Sequence, residues 1–294
     1  MMIPQMEPWF GEEEATAVTE YMRSGGWLME FRKTREFESM IASHTGAAHC
    51  IVTNNGTISL TLAALACGVQ AGDDVIVPNY TMIASPNSVF MIGANPIFVD
   101  VEPETLCLDI DKTKAALTPQ TRAIMLVTAN GRFPKAGIEL FEQLAQEHAL
   151  ILIEDAAQSL GSRYPDGRHI GRAGKVGSFS FSVSKVVTTG QGGCLITDDH
   201  DVANRLRRLK DSAELLVQPP SLIPSATISN SPTCSLRRRG ATGKGAPLPR
   251  GPCLVWTRRN GEREKGAESP RRFAKGGSVR DRDRASDESM KRLC

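Results

Sequence analysis

The sequence predicts an α/β domain whose mainly parallel sheet is packed between helices, and three observations carry that reading. Between about residues 48 and 214, short β-rich runs alternate with helical stretches, and strands joined by helical crossovers form parallel sheets. Runs such as Ile124–Val127 and Leu150–Ile153 are apolar throughout, as strands covered on both faces must be. The chain has 294 residues, 40% of them hydrophobic, enough to bury one large core or two modest ones.

Taken in order, Gly11–Ser24 and Arg35–Ser43 read as helices on either side of a Gly25–Gly26 break. Ala48–Thr53 is a strand, and Ile58–Cys67 a helix with small and apolar residues on most faces. Asp74–Pro78 is a strand, Ala84–Ile92 a helix, and Pro96–Asp100 and Arg122–Thr128 are strands. A helix over Ile138–His148 leads into the apolar strand Ala149–Asp155. Val176–Ser182 and Gly193–Thr197 read as two more strands joined through the glycine-rich turn Thr189–Gly193, and Val202–Leu209 as an amphipathic helix.

Past Glu214 the character changes. Residues 1–214 carry 18 basic and 26 acidic side chains, a net of −8, whereas residues 215–294 carry 17 and 7, a net of +10. The later segment holds 8 Gly, 8 Pro, 9 Ser and 13 Arg with almost no apolar periodicity. Such a composition cannot bury enough apolar area to offset chain entropy. Two domains are therefore expected, a folded one over 1–214 and a disordered basic tail over 215–294 that reads like a coding sequence translated out of frame.

The opposed charges exclude a nucleic-acid binder over the whole chain. Clusters such as Arg237–Arg239 and Arg271–Arg272 are expected to be a solvated segment and not a nucleic-acid arm. Seven cysteines form no Cys-x-x-Cys pair, which predicts a reducing compartment and no metal site. The N-terminal stretch MMIPQMEPWFGEEE lacks a signal-peptide pattern and no apolar run reaches membrane-spanning length. A cytoplasmic protein without membrane contact is expected.

Chemistry concentrates in two places. Asp155-Ala-Ala-Gln158 ends an apolar strand, and Ser180-Phe-Ser-Val-Ser-Lys185 follows, with Lys185 thirty residues after Asp155 and Gly190-Gln-Gly-Gly193 beyond it. An acid at the C-terminal end of a buried strand points into the crevice where open α/β sheets bind ligands. A lysine in an apolar, β-rich segment loses hydration, which lowers its pKa and leaves a nucleophilic amine. Together they are the minimum apparatus for pyridoxal phosphate. Singly, each has an ordinary reading as a turn former, a surface charge or a tight turn. The second place is Asn54-Asn-Gly56-Thr57-Ile-Ser59, between a strand and a helix. Gly56 and Thr57 would offer backbone N–H groups and a hydroxyl to a phosphate, or Thr57 or Ser59 would simply cap the helix.

These segments occur in a recognisable order. Asn55-Gly-Thr57, Val77-Pro-Asn-Tyr-Thr81, Phe98-Val-Asp-Val-Glu-Pro103, Glu154-Asp-Ala-Ala-Gln-Ser159 and Lys185-Val-Val-Thr-Thr-Gly-Gln-Gly-Gly193 follow one another. Over about residues 3–211 the chain resembles the DegT/DnrJ/EryC1/StrS family of pyridoxal-phosphate sugar aminotransferases, and within it the GDP-perosamine synthase branch. The resemblance implies a fold-type I large domain, pyridoxal 5'-phosphate as cofactor, and a homodimer. It also implies transfer of an amino group from L-glutamate to a nucleotide-linked 4-keto-6-deoxy sugar in polysaccharide (O-antigen) biosynthesis. An inactive truncated member or a 3-keto sugar aminotransferase are the alternatives.

Residue by residue, the resemblance implies that Lys185 joins the cofactor and moves the proton. Asp155 would hold the pyridine nitrogen protonated, and Gln158 would contact the ring hydroxyl. Gly56, Thr57 and Ser180 would hold the phosphate. Dehydrating members carry histidine in place of the lysine, so Lys185 favours transamination. The chain departs from the pattern in three ways. Met82 stands where the family places an aromatic ring against the cofactor, and a thioether packs there more weakly. Gly190-Gln191-Gly-Gly193 replaces Gly-Glu-Gly-Gly, and residues 215–294 lack the family's Asn-x-Arg segment and small C-terminal domain.

Overall fold

The computed structural model describes residues 10–25 and 32–210. The tail expected over 215–294 lies outside the described residues. Seven strands form one sheet: β1 (His49–Thr53), β2 (Asp74–Pro78), β3 (Asn95–Val99), β4 (Thr121–Val127), β5 (Ile151–Asp155), β6 (Val176–Ser180) and β7 (Gly193–Thr197). Their order is β1-β7-β6-β5-β4-β2-β3. β2, β3, β4, β5 and β6 pair in parallel, while β7 runs antiparallel to both β1 and β6. The mainly parallel sheet expected from the alternating pattern is therefore present, with one strand reversed.

The helices are α1 (Glu12–Arg23), α2 (Arg32–Thr45), α3 (Gly56–Ala66), α4 (Ala84–Phe90), α5 (Ile110–Ala115), α6 (Ile138–Glu147) and α7 (His200–Lys210). Strand alternation splits the core into two layers. Ile124, Leu126, Leu152 and Phe179 point to one face, against Ile41 of α2 and Phe141 and Leu144 of α6. Ala123, Met125, Ile153 and Val176 point to the other, against α3, α4 and α7. Both faces being covered is why β2, β4 and β5 are apolar through their middles. α3 lies deepest. Its Ala63, Ala64 and Ala66 are fully buried, so its backbone approaches the sheet and its neighbours closely.

Several boundaries differ from the sequence reading by one to three residues, and one helix was missed. β6 stops at Ser180 and not Ser182, because a turn follows in which the Lys185 N–H donates to the Ser182 carbonyl at 2.9 Å. Lys185 thus sits on a turn and not in a β-segment. β5 begins at Ile151, since Ala149 adopts φ +52°, outside the extended region. α5 went unread because its six residues, IDKTKA, are mostly polar, although Asp109 caps it by accepting from the Asp111 and Lys112 N–H groups. α3 starts two residues earlier than expected.

Buried polar groups pin the loop between β5 and β6. Glu154 has no exposed surface and accepts hydrogen bonds from Tyr164 Oη (2.5 Å) and the N–H groups of Gly171 (2.9 Å), Ala173 (2.6 Å) and Gly174 (2.6 Å). His169, equally buried, accepts from the Gly161 N–H at Nε2 (2.8 Å) and meets the Ile170 carbonyl through Nδ1 (2.6 Å). Since Gly161 can only donate, the ring is neutral with its proton on Nδ1. His44 and Phe179 pack edge-on against it. Among the described residues no helix is long and apolar enough to cross a membrane.

Burial, aided by the positive charges of Arg163 and Arg172, lowers the His169 pKa from 6.5 to about 4. The unfolded chain takes up this proton below pH 6.5, whereas the folded chain waits until about pH 4. The stability contribution is therefore whole above pH 6.5 and drains away between 6.5 and 4, by about 2–3 kcal/mol. His44 and His49 shift in the same direction. Urea unfolding from pH 7 to pH 4 should show this loss, and His169→Gln should flatten the slope while lowering stability at pH 7.

Candidate active site

The C-terminal ends of the parallel strands and the start of α3 surround a cavity of about 410 Å³. That is the position at which open α/β sheets bind ligands and a size that suits a small cofactor. Asn55, Gly56 and Thr57 line it from α3, and Tyr80, Thr81 and Met82 from the segment after β2. Thr128 and Asn130 follow β4, and Asp155 and Gln158 end β5. Ser180, Ser182, Ser184 and Lys185 close it from the end of β6. Gly56, Thr57, Met82, Asp155, Gln158, Ser180 and Lys185, singled out from sequence, thus all border one space.

The start of α3 is an anion cradle by construction. Asn55 is the N-cap, its Oδ1 accepting from the Ile58 N–H at 2.9 Å. Neither Thr57 nor Ser59 caps the helix, correcting that reading; Ser59 Oγ instead meets Thr53 Oγ1 at 2.6 Å. The N–H groups of Gly56 and Thr57 have no acceptor within the helix. Gly56 brings them against β6, since a Cβ there would stand 2.9 Å from Ser180 Cβ. The Ser180 hydroxyl is therefore beside the two free N–H groups, a donor set that matches a phosphate.

Asp155 is 5% exposed. Its Oδ2 accepts from Ser85 Oγ at 2.7 Å, and its Oδ1 takes a longer bond of 3.3 Å from the Ala157 N–H. Burial pushes its pKa above the ordinary carboxylate value, while Ser85, the Ala157 N–H and the charge of Lys185 pull it back. Lys185 is half-buried, and desolvation lowers its pKa against the opposing pull of Asp155. The two share the cavity, and among the described residues Lys185 makes no ion pair that would occupy its amine. Each charge only partly offsets the burial of the other, which suits a ligand carrying an electrophilic carbon at one point and a basic nitrogen at another.

The turn bearing Lys185 is laced at its base. The Phe181 N–H donates to the Gly192 carbonyl (2.9 Å), and the Phe181 carbonyl accepts from the Thr189 N–H (3.0 Å) and Thr188 Oγ1 (3.1 Å). Val187 is buried, and the Phe181 ring packs edge-on against Phe37 of α2. Gln158 is also fixed: its Oε1 accepts from the Asn130 N–H at 2.8 Å, with Asn130 at φ +54°. That bond leaves the Nε2 donors of Gln158 for the cavity. Met82 stands 68% exposed at the mouth. Sequence reasoning missed Asn55, Ser85 and Asn130. Asn55 was legible as an Asn before a helix; the other two act on residues 70 and 28 positions away.

Comparisons with known proteins agree with this geometry. Residues 8–215 match the DegT/DnrJ/EryC1/StrS aminotransferase family. An L-glutamine:2-deoxy-scyllo-inosose aminotransferase of Streptomyces kanamyceticus is 40% identical over 66% of this chain and 46% of its own length. A GDP-perosamine synthase of Caulobacter vibrioides is 43% identical over 60% of this chain and 46% of its own. The solved structure of NtdA from Bacillus subtilis with bound cofactor PMP aligns with a TM-score of 0.61 at 28% identity, covering 66% of this chain and 43% of that one. The chain spans about half the length of the curated relatives it matches.

The glycine-rich return to β7 is tested by one substitution. A Cβ at Gly193 would meet Ser59 Oγ at 2.6 Å and the Asn55 carbonyl carbon at 2.7 Å. Gly193→Ala should destabilise the protein by about 1–3 kcal/mol, read as a lowered thermal midpoint. Ala at Gly190, where nothing lies within 4 Å but φ is +78°, should cost only about 1 kcal/mol.

Proposed function

The chain belongs to the DegT/DnrJ/EryC1/StrS aminotransferase family, and we propose that its cavity is the pyridoxal-phosphate site of a sugar aminotransferase. Its sheet, flanked by helices, is that of a fold-type I aminotransferase large domain, which we assign to residues 1–214. The observation that carries the proposal is that seven residues, scattered from position 56 to position 185, border a single cavity.

Each would have a task there. The N–H groups of Gly56 and Thr57 and the hydroxyl of Ser180 would hold the phosphate, and Gln158 would donate from Nε2 to a ring oxygen. Met82 would pack on a ring face. Asp155, whose pKa burial raises, would be held charged by accepting from a ring N–H⁺, since an adjacent cation favours the carboxylate. Lys185, partly desolvated, presents more neutral amine near pH 7 than a surface lysine and is the nucleophile. The same Nζ would later accept and return the proton that moves between donor and product, as general acid and base. When bound, pyridoxal phosphate supplies a carbonyl that captures amines and a ring that accepts electrons.

The reaction proposed is transfer of the amino group of L-glutamate to a nucleotide-linked 4-keto-6-deoxy sugar, as in perosamine synthesis for polysaccharide, by a cytoplasmic homodimer. The acceptor is the least constrained part, because the matched relatives act on different molecules by name. A second reading, an inactive member of the family, is favoured by one observation. Tyr80 and Met82 are exposed where they line the cavity, and Ile83, Val183 and Val186 are exposed next in sequence to lining residues; apolar surface of that kind calls for a cover.

Adding pyridoxal phosphate to the purified chain decides between them. An active site should develop visible absorbance that fades when L-glutamate is added. Lys185→Ala should abolish both responses while leaving the chain folded, read as a retained cooperative thermal transition. A colourless unmodified chain would support the inactive form, and an undiminished response in Lys185→Ala would remove Lys185 from its role.

A further inference from the structure

Ser85 is a fully buried serine in the first turn of α4. Serines so placed ordinarily bond their own helix's backbone, as Ser88 does in donating to the Ser85 carbonyl at 2.7 Å. Ser85 instead reaches 70 residues along the chain to Asp155 Oδ2, at 2.7 Å. Its Oγ also lies 2.7 Å from Thr81 Oγ1. A hydroxyl has one proton to give. With that proton directed to the carboxylate, Thr81 must be the donor to Ser85, so the chain Thr81→Ser85→Asp155 has a fixed direction. Hydrogen bonds in such a series polarise one another and strengthen the terminal one.

The frame around the relay is rigid. The Ser85 N–H donates to the Met82 carbonyl at 3.1 Å, and the Ser88 bond holds its carbonyl. Thr81 lines the cavity and Ser85 does not, so Ser85 acts only through Asp155. We propose that Ser85, oriented by Thr81, is a positioning residue that fixes the Asp155 carboxylate at the cavity and stabilises its charged form. This rests on the reading of Asp155 as the carboxylate that meets the cofactor ring. The relay sets which oxygen is engaged from behind: Oδ2 is held by Ser85, leaving Oδ1, with only its long bond to Ala157, as the better acceptor for a ligand N–H⁺.

The test is a pH titration of the Asp155 carboxyl by 13C NMR in the full-length, cofactor-free chain, the resonance being assigned through Asp155→Asn. Ser85→Ala should make Asp155 take up its proton at about tenfold lower proton concentration, one pH unit higher. Ser85→Thr, which keeps a hydroxyl, should restore the original titration. Thr81→Ala, a change at a half-buried position, should shift it the same way by a smaller amount and keeps the proposal testable if Ser85→Ala fails to fold. An unchanged titration in Ser85→Ala, or equal displacement in Ser85→Ala and Ser85→Thr, would overturn the assignment. Because no cofactor is present, the outcome is independent of whether pyridoxal phosphate binds.

Discussion

A nearly buried carboxylate at the end of β5 is the constraint around which the site is organised. Taking an aspartate out of water is costly unless its charge is met by donors or a cation. Asp155 receives one short bond, one long one and the favourable charge of Lys185. Burial still prevails in the free protein, raising its pKa. An added positive charge would favour the carboxylate further, and the partly desolvated amine of Lys185 lines the same cavity.

The fold makes that arrangement by bringing strand ends together. Four parallel strands deliver their C-terminal residues to one edge, and the reversed β7 returns the chain so that the turn bearing Lys185 is tied at both ends. Close approaches at Gly56 and Gly193 press the start of α3 against β6 and β7. The groups proposed to hold a phosphate, the carboxylate and the amine are thus carried by rigid elements and laced turns, the condition for holding a ligand in a single orientation.

Much of this was legible in sequence because it is local. Continuous apolar runs gave away strands covered on both faces, and a strand-end motif placed Asp155 and Gln158 at the crevice. What escaped depended on distance or on short range competition. Ser85 looks like any helix serine until α4 is packed against β5, and Asn130 acquires its role only when its N–H meets Gln158. The end of β6 was overrun because Phe181 continues the apolar pattern, while its backbone bonds turn the chain instead. The polar α5 carries no apolar periodicity to read.

Which amine meets the cofactor is the question most directly open to measurement. Treating the full-length chain with pyridoxal phosphate, reducing it with borohydride and mapping the peptides would fix any linkage between the two. The account requires the reduced label on Lys185, with other lysines unmodified at stoichiometric cofactor. A label spread over surface lysines, or concentrated on one outside the cavity, would contradict it.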